Sequence, residues 1–262
     1  MSQENRRVTA EELSRATRFS DFSLARLLPD GKTVVKSGKT IRATEGYTMR
    51  FVRQHTRIPV PEVYSVYKDE QSGAVHIVME YIEGKPLDEV WSTLTADEKQ
   101  SVMRQLRGYF QELRQIKGTF IGSVDGSGCD DQFFENAPGA CGPYGTEAEF
   151  NQALARAWLE GHEDDPFRQL LVKILFEVMQ GHEIVMTHND FAARNILVRG
   201  ATVVAVLDWE FAGFYPEHWE YCKALWRPEW DSEWIRDGFV DKVLDPYLKE
   251  VALIMNTSFT VF

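Results

Sequence analysis

The sequence predicts an α+β protein of two lobes, a small β-rich N-lobe followed by a larger, mainly helical C-lobe. The first observation is a series of strand patterns that begins with two apolar runs joined at Pro29-Asp30-Gly31 and ends near Ile82. The second is a set of helix-capping signals and helix-period apolar residues from Thr95 onward. A chain of 262 residues is long enough for one large domain or for two lobes with separate cores.

Residues 1–20 are polar and are predicted to form a mobile or loosely docked N-terminal arm. Within this arm Thr9 and Glu12 have the spacing of a capping box, which predicts a short helix. The N-lobe then begins with a hairpin, because Pro29-Asp30-Gly31 is a turn sequence between two apolar runs.

Lys36 closes the second run of this hairpin, and Glu45 begins a helix that is predicted to extend through Gln54. Glu45, Met49 and Val52 fall at i, i+4 and i+7, so Glu45 shares the inward face of the helix. A carboxylate on that face needs a partner, and Lys36 is the candidate. The alternative is a solvated lysine at a strand end and a carboxylate that the helix dipole favours.

Two more strand patterns, at residues 58–66 and 74–81, complete the predicted N-lobe. The apolar pattern ends directly afterwards at Glu83-Gly84, which predicts a hinge between the lobes. We therefore assign residues 21–82 to the N-lobe and residues 83–262 to the C-lobe.

N-terminal signals predict three helices in the C-lobe: Thr95 with Glu98, Thr146 with Glu149, and Asp165 before Pro166. The third helix is strongly amphipathic and ends at Gly181, and a closing helix is interrupted near Pro246. The loop at residues 120–145 is rich in Gly and Asp but lacks the ligand spacing of a calcium loop. We predict a solvated surface loop there.

The most informative stretch is residues 185–213, where a polar loop lies between apolar runs. The runs on either side of Gly200 predict a β-hairpin, whose antiparallel pairing returns Asn195 and Asp208 to the same end. Oxygen ligands of this kind suit Mg²⁺. Asp190, on the same loop, is then placed to accept a proton from an attacking hydroxyl. Taken singly these residues are ordinary loop formers, but their combined spacing favours a phosphotransferase centre.

Composition narrows the class of partner. The chain has 44% hydrophobic and 26% charged residues, and 29 basic against 40 acidic residues give a formal charge of −11. This charge disfavours nucleic acid and is compatible with a cationic substrate. The three cysteines, Cys129, Cys141 and Cys222, are too scattered for a disulfide framework or a zinc site and are predicted to be reduced thiols. Without a signal peptide or membrane-length apolar run, a cytoplasmic protein with no membrane partner is expected.

The central block resembles known kinases. His188-Asn189-Asp190 followed by Asn195 is similar to the H-x-D-x-x-x-x-N catalytic loop of protein kinases, and Asp208 to their metal-binding aspartate. The resemblance is closer to the aminoglycoside phosphotransferase and choline kinase-like family, because Asp208-Trp209-Glu210 replaces the D-F-G of protein kinases and no A-P-E element follows. The resemblance implies a two-lobed protein kinase-like fold of the small-molecule branch.

By this resemblance, Asp190 orients and deprotonates the acceptor hydroxyl, and Asn195 and Asp208 hold Mg²⁺. Lys36, positioned by Glu45, contacts the phosphates of ATP. His188 braces the loop. The backbone from Glu80 to Ile82 is implied to hydrogen-bond the adenine. The chain departs from protein kinases before Lys36, where only Pro29-Asp30-Gly31 stands in place of a Gly-rich phosphate loop.

The acceptor is expected to be a small, cationic, hydroxyl-bearing molecule. Four tryptophans after Gly213 alternate with four acidic residues, a composition suited to an ammonium group: Trp219, Trp226, Trp230 and Trp234 with Glu217, Glu220, Asp231 and Glu233. The alternative is that these tryptophans form core. The predicted function is thus ATP-dependent phosphate transfer, the alternative is a nucleotide-binding pseudokinase or scaffold, and the oligomeric state is left open.

Overall fold

The computed structural model describes residues 6–21, 23–134, 142–226, 228 and 230–257. It is a mixed structure with a β-sheet N-terminal region and a helical C-terminal region, as the sequence predicts. Cys129 and Cys222 are buried free thiols, whereas Cys141 lies outside the described residues. No helix in the described ranges combines the length and the apolar character that crossing a bilayer requires.

The N-lobe is an antiparallel five-stranded sheet with one long helix against it. Its elements in chain order are α1 (Ala10–Arg15), β1 (Thr17–Arg18), β2 (Ala25–Leu27), β3 (Thr33–Gly38), α2 (Ala43–His55), β4 (Val63–Lys68) and β5 (Val75–Glu80). The strand order is β1-β2-β3-β5-β4, and α2 packs on β4 and β5. The predicted β2–β3 hairpin is confirmed, and α2 begins two residues before Glu45.

The N-terminal segment is attached to this sheet more firmly than its polarity suggests. Thr9 and Glu12 form the predicted capping box of α1, and β1 pairs with β2 at the edge of the sheet. The guanidinium of Arg6 donates to the carboxylate of Asp30 at 2.7 Å. Residues 6–18 thus contact the lobe through specific bonds, and the mobility of the arm stays a prediction. A polar segment docks here because its cations and N–H groups meet specific acceptors on the lobe.

The C-lobe consists of helices and three small β pairings. Its elements are β6 (Lys85–Pro86), α3 (Leu87–Val90), α4 (Ala96–Leu113), α5 (Glu147–Leu159), α6 (Pro166–Val178), β7 (Ile184–Thr187), β8 (Ile196–Arg199), β9 (Thr202–Val206), β10 (Gly213–Pro216), α7 (Trp219–Leu225), α8 (Glu233–Arg236), α9 (Phe239–Val243) and α10 (Leu248–Met255). The signals at Thr95, Thr146 and Asp165 each accept a backbone N–H at the start of α4, α5 and α6. Their core is aromatic, with Trp158 and Trp219 fully buried.

The predicted hairpin around Gly200 is formed by β8 and β9. Gly200 has φ 57°, a left-handed conformation that the tight turn requires and that glycine adopts without strain. Beyond the strands, the N–H of Leu207 donates to the carbonyl of Asn195 at 2.8 Å. This bond places Asn195 and Asp208 together at the open end of the hairpin. The polar loop before it connects β7 to β8.

Candidate active site

The loop from His188 to Asn195 is held in one conformation by its own side chains. The N–H of Asp190 donates to Nδ1 of His188 at 3.2 Å, and Nε2 of the same ring lies 2.9 Å from the carbonyl of Leu207. Since Nδ1 accepts, Nε2 carries the proton and the ring is neutral. Burial lowers the pKa of His188, which favours the same state. His188 thus ties the loop to Leu207, directly after β9, and lines neither of the two described cavities.

A buried carboxylate supports the loop from beneath. Glu220, in α7, accepts the N–H of His188 at 2.6 Å and the N–H of Asn189 at 3.0 Å. Asn189 has φ 68°, a conformation that is costly for a non-glycine residue. Burial raises the pKa of Glu220 to about 7, although the two N–H donors oppose the shift. The sequence grouped Glu220 with the acidic residues of a cation site, and the structure places it in the interior instead.

Asp131 fixes the side chain of Asn189. Its carboxylate accepts from Nδ2 of Asn189 at 2.8 Å, from Nε1 of Trp219 at 2.9 Å and from Nζ of Lys223 at 3.2 Å. The predicted solvated surface loop is therefore wrong at Asp131, which is buried. A carboxylate is stable in this interior because a cation and three further donors face it, the third being the N–H of Phe133 at 2.9 Å.

Asp190 emerges from this supported loop. Both of its carboxylate oxygens lie 2.7 Å from the guanidinium of Arg194. Nδ2 of Asn195 donates to Asp190 at 2.8 Å. Because the amide nitrogen of Asn195 is committed to Asp190, its Oδ1 is the atom left for a cation. Arg194 was not identified from the sequence, although its position four residues after Asp190 on a short helical turn was a signal for this pair.

The predicted pair between Lys36 and Glu45 is present, and it is part of a larger cluster. Nζ of Lys36 lies 3.0 Å from Glu45, 2.9 Å from Asp208 and 2.9 Å from Glu210. Burial lowers the pKa of Lys36, but the three carboxylates outweigh it and raise the pKa overall. Burial raises the pKa of Glu45 to about 7 against the opposing effect of Lys36. The lysine is therefore a permanent cation. Glu210 was not predicted as a site residue.

These groups line a cavity of about 540 Å³. Glu80 and Ile82, the predicted adenine-binding segment, form part of its wall, together with Val34 and Leu197. An apolar wall with charged groups at one end suits a nucleotide, whose base is flat and whose phosphates are anionic.

The oxygen donors that line this cavity include the carboxylates of Asp208 and Glu210 and the amide of Asn195. Asp208 has φ 63°, a strained conformation that directs its side chain toward Lys36. Carboxylate and amide oxygens are the ligands that Mg²⁺ prefers. The donor set therefore fits a magnesium ion.

A second cavity, of about 420 Å³, lies on the other side of the loop and is lined by Asp190. Arg194 lines both cavities, so the loop forms the wall between them. Asp88 lines the second cavity and has no ion-pair partner among the described residues. Of the four tryptophans predicted near an acceptor, Trp226 and Trp234 line the second cavity.

The other residues of the predicted cation site after Gly213 do not line the second cavity. Trp219 is buried core, as the alternative interpretation proposed, and Trp230 is 49% exposed. The face of Trp226 lies 4.7 Å from Nζ of Lys223, so an internal cation already occupies it. The acidic residues of this segment form ion pairs with other side chains. Glu217 pairs with Arg114, Asp231 with Arg236, and Glu233 with Lys99.

Comparison with known proteins agrees with this geometry. The model of the phosphotransferase enzyme family matches residues 36–251. Two subtelomeric hrmA-associated cluster proteins of Aspergillus fumigatus are 42% identical over 84 residues. That segment is 31% of this chain and 16% of each relative, so the alignment spans a small part of the curated relatives.

Solved structures match over most of the chain. The GDP complex of wild-type aminoglycoside 2'-phosphotransferase-IIIa has a TM-score of 0.62 at 14% identity, covering 94% of this chain and 82% of that one. The apo thermostable mutant of aminoglycoside phosphotransferase APH(4)-Ia has a TM-score of 0.62 at 20% identity, covering 94% and 84%. The streptomycin–ATP–APH(2")-IIa ternary complex has a TM-score of 0.57 at 17% identity, covering 96% and 86%. At sequence identities this low, the similarity to these structures shows only that the chain has a kinase-like fold.

Proposed function

Since the chain belongs to the phosphotransferase enzyme family, we propose that it transfers the γ-phosphate of ATP to a hydroxyl group of a small, cationic molecule. One observation carries this proposal. Asp190 faces one cavity, while Lys36 and the oxygen donors Asn195 and Asp208 face the other across a shared wall. A phosphoryl donor and an acceptor bound in these two cavities would meet at Asp190.

Each residue has a role that follows from its contacts. Asp190 accepts the hydroxyl proton as the acceptor oxygen attacks the γ-phosphorus and the bond to the β-phosphate oxygen breaks. Lys36 neutralises phosphate charge, and Glu45 fixes its position. Mg²⁺, held by Asn195 and Asp208 with Glu210 beside them, would supply the charge stabilisation of the transferring group.

Arg194 sets a condition on this scheme. It must release at least one oxygen of Asp190 before that oxygen can accept a proton. Arg194 has an exposed side chain and lines both cavities. An arginine in this position is suited to transfer its contact from Asp190 to a bound phosphate, because its guanidinium binds carboxylate and phosphate with the same geometry.

The second cavity supports a cationic acceptor. Arg194 is paired with Asp190 and Lys223 with Asp131, which leaves Asp88 as the charge in the described wall without an ion pair. An ammonium group near Asp88 would balance that charge. The neighbouring structure with streptomycin and ATP is a small-molecule complex of the same fold.

The experiment is a nucleotide-consumption screen of the full chain against amines, aminoglycosides, choline analogues and sugars, with ATP and GTP as donors. Asp190→Ala is expected to lower turnover about 100-fold or more. Asp231→Ala, a matched carboxylate that is fully exposed, is expected to behave as the parent chain. Turnover by Asp190→Ala equal to that of the parent would refute the role of Asp190.

The screen also tests the cationic acceptor and the alternative of a scaffold. Asp88→Asn is expected to raise KM for a cationic acceptor while leaving KM for ATP unchanged. Equal efficiency with neutral and cationic acceptors would contradict the charge assignment. Tight ATP binding with no turnover on any acceptor would instead favour the nucleotide-binding scaffold.

A further inference from the structure

Two histidines and two glutamates meet behind the catalytic loop, away from both cavities. Glu147 is the first residue of α5, His182 lies between α6 and β7, His218 precedes α7, and Glu250 lies in α10. Ligand atoms of Glu147, His182 and His218 all lie within 4.8 Å of one another. These residues have no role in the proposed phosphate transfer.

His218 is the unusual member of this cluster. Its side chain is fully buried, and neither ring nitrogen has a hydrogen-bond partner among the described residues. A buried polar group without a partner is destabilising, because it has lost its hydrogen bonds to water. Its ring centroid lies 4.3 Å from that of His182, so the ring faces the cluster. Burial, with nearby His182 and Arg114, lowers the pKa of His218 well below its ordinary value. The imidazole is therefore neutral, the form that binds metals.

The other residues are already arranged as ligands and their supports. Oε1 of Glu147 lies 2.6 Å from Nδ1 of His182, and Oε2 of Glu147 accepts the backbone N–H of His182 at 3.0 Å. Nε2 of His182 lies 3.5 Å from Oε1 of Glu250. Histidines that bind metals typically direct their second ring nitrogen to a carboxylate, which fixes the ring and increases its basicity. Glu250 has this position relative to His182.

We propose that Glu147, His182 and His218 bind a divalent transition-metal ion of the zinc type, with Glu250 as the outer partner of His182. The ion would take Oε1 of Glu147, Nδ1 of His182 and one ring nitrogen of His218. It replaces the proton that Glu147 and His182 share, and that proton leaves to solvent. Two imidazole nitrogens favour Zn²⁺ and its neighbours in the series over Mg²⁺, so the ion differs in kind from the one at Asp208.

The required adjustment is small. Zinc binds nitrogen and oxygen at about 2.0–2.2 Å, so ligand atoms of a tetrahedral site are about 3.4 Å apart. Ligand atoms that now lie up to 4.8 Å apart would therefore approach by up to about 1.4 Å, whereas Oε1 of Glu147 and Nδ1 of His182, now 2.6 Å apart, would separate by about 0.8 Å. Rotation of side-chain torsions covers these distances, and the fourth position is left to water.

Metal binding here would stabilise the support of the catalytic loop. His218 is two residues before Glu220, whose carboxylate holds that loop, and His182 is two residues before β7, which leads into it. Without a metal, His182 lies between the carboxylates of Glu147 and Glu250. These carboxylates outweigh the effect of burial and raise the pKa of His182. The ring nitrogens of His218 then have no hydrogen-bond partner among the described residues. An ion joins these parts and satisfies His218.

The test uses the full chain without an affinity tag, freed of metal with a chelator. Titration with Co²⁺ should give the visible absorption of a four-coordinate ion, saturating at one per chain. Zn²⁺ should displace it and raise the melting temperature. Absence of this absorption together with no competition against a chromophoric chelator would overturn the proposal.

Three variants separate binding from folding. His218→Leu removes an unsatisfied polar group, so it should fold at least as well as the metal-free parent chain and yet lose the cobalt absorption. Glu250→Gln should weaken binding about 10–100-fold while retaining the site. His162→Ala, at an exposed histidine, should bind as the parent does. Full binding by folded His218→Leu would refute the assignment.

Discussion

Replacing Glu220 with alanine tests whether a residue outside both cavities sets the geometry of the loop from His188 to Asn195. The change removes the acceptor of two buried N–H groups, those of His188 and Asn189. Each unsatisfied buried donor costs about 1–3 kcal/mol, so the loop loses about 2–6 kcal/mol of local stabilisation. Global stability changes less, because the folded protein no longer buries a carboxylate whose pKa is raised to about 7.

The local and global effects are separated by amide hydrogen exchange and urea unfolding at pH 8. Exchange in the peptide that contains His188 and Asn189 should accelerate roughly 30-fold or more, since each 1.4 kcal/mol is about a factor of ten. Turnover should fall about 100-fold, because misplacing Asp190 by about 1 Å costs that much. Glu217→Ala is the matched control, a nearby carboxylate whose side chain reaches Arg114 instead. Unchanged loop exchange in Glu220→Ala, or an equal rise in the control, would refute the supporting role.

Three further changes test stability. Lys36→Met leaves Glu45 buried without its cation, so the free energy of unfolding at pH 8 should fall by about 3–5 kcal/mol in urea, and Glu45→Gln in the same chain should recover part of it. For pH dependence, folded Glu220 has a pKa of about 7 and the free carboxyl 4.5, so the folded state keeps a proton between these values. Stability contributed by this proton is therefore lost as pH rises through that window, by up to about 1.4 kcal/mol per pH unit, and Glu220→Gln should flatten the profile by this slope. Gly46→Ala should destabilise by about 1–3 kcal/mol, because an ideal Cβ would overlap a valine methyl group of the sheet, whereas Gly108→Ala in open space should stabilise by about 0.5–1 kcal/mol in the same assay.

Local signals predicted the elements well because each depends on neighbouring residues. Thr9, Thr95 and Asp165 mark helix starts through bonds that reach two or three positions along the chain. The pair of Lys36 and Glu45 was predicted for a related reason, since helix periodicity alone showed that the carboxylate faced inward and needed a cation.

Local sequence signals failed to predict burial where the hydrogen-bond partner of a residue is remote in sequence. Glu220 reaches residues 31 and 32 positions away, and Asp131 reaches Asn189 across 58. Asp131 was predicted to lie in a solvated surface loop, and Glu220 was grouped with the carboxylates of a cation site. Burial was decided by which N–H groups the fold placed opposite them.

The sequence by itself determined the order of elements, the hairpin that joins Asn195 to Asp208, and the residue types of a phosphotransferase centre, because these follow from local periodicity and spacing. Only the tertiary structure decided which carboxylates line a cavity and which ones support the loop. It separated Asp190, at the wall between the cavities, from Glu220 and Asp131 beneath it. It also brought His182 and His218 together. The reason is physical: the charge, pKa and bonding of a side chain depend on what surrounds it in space, and those neighbours come from distant parts of the chain.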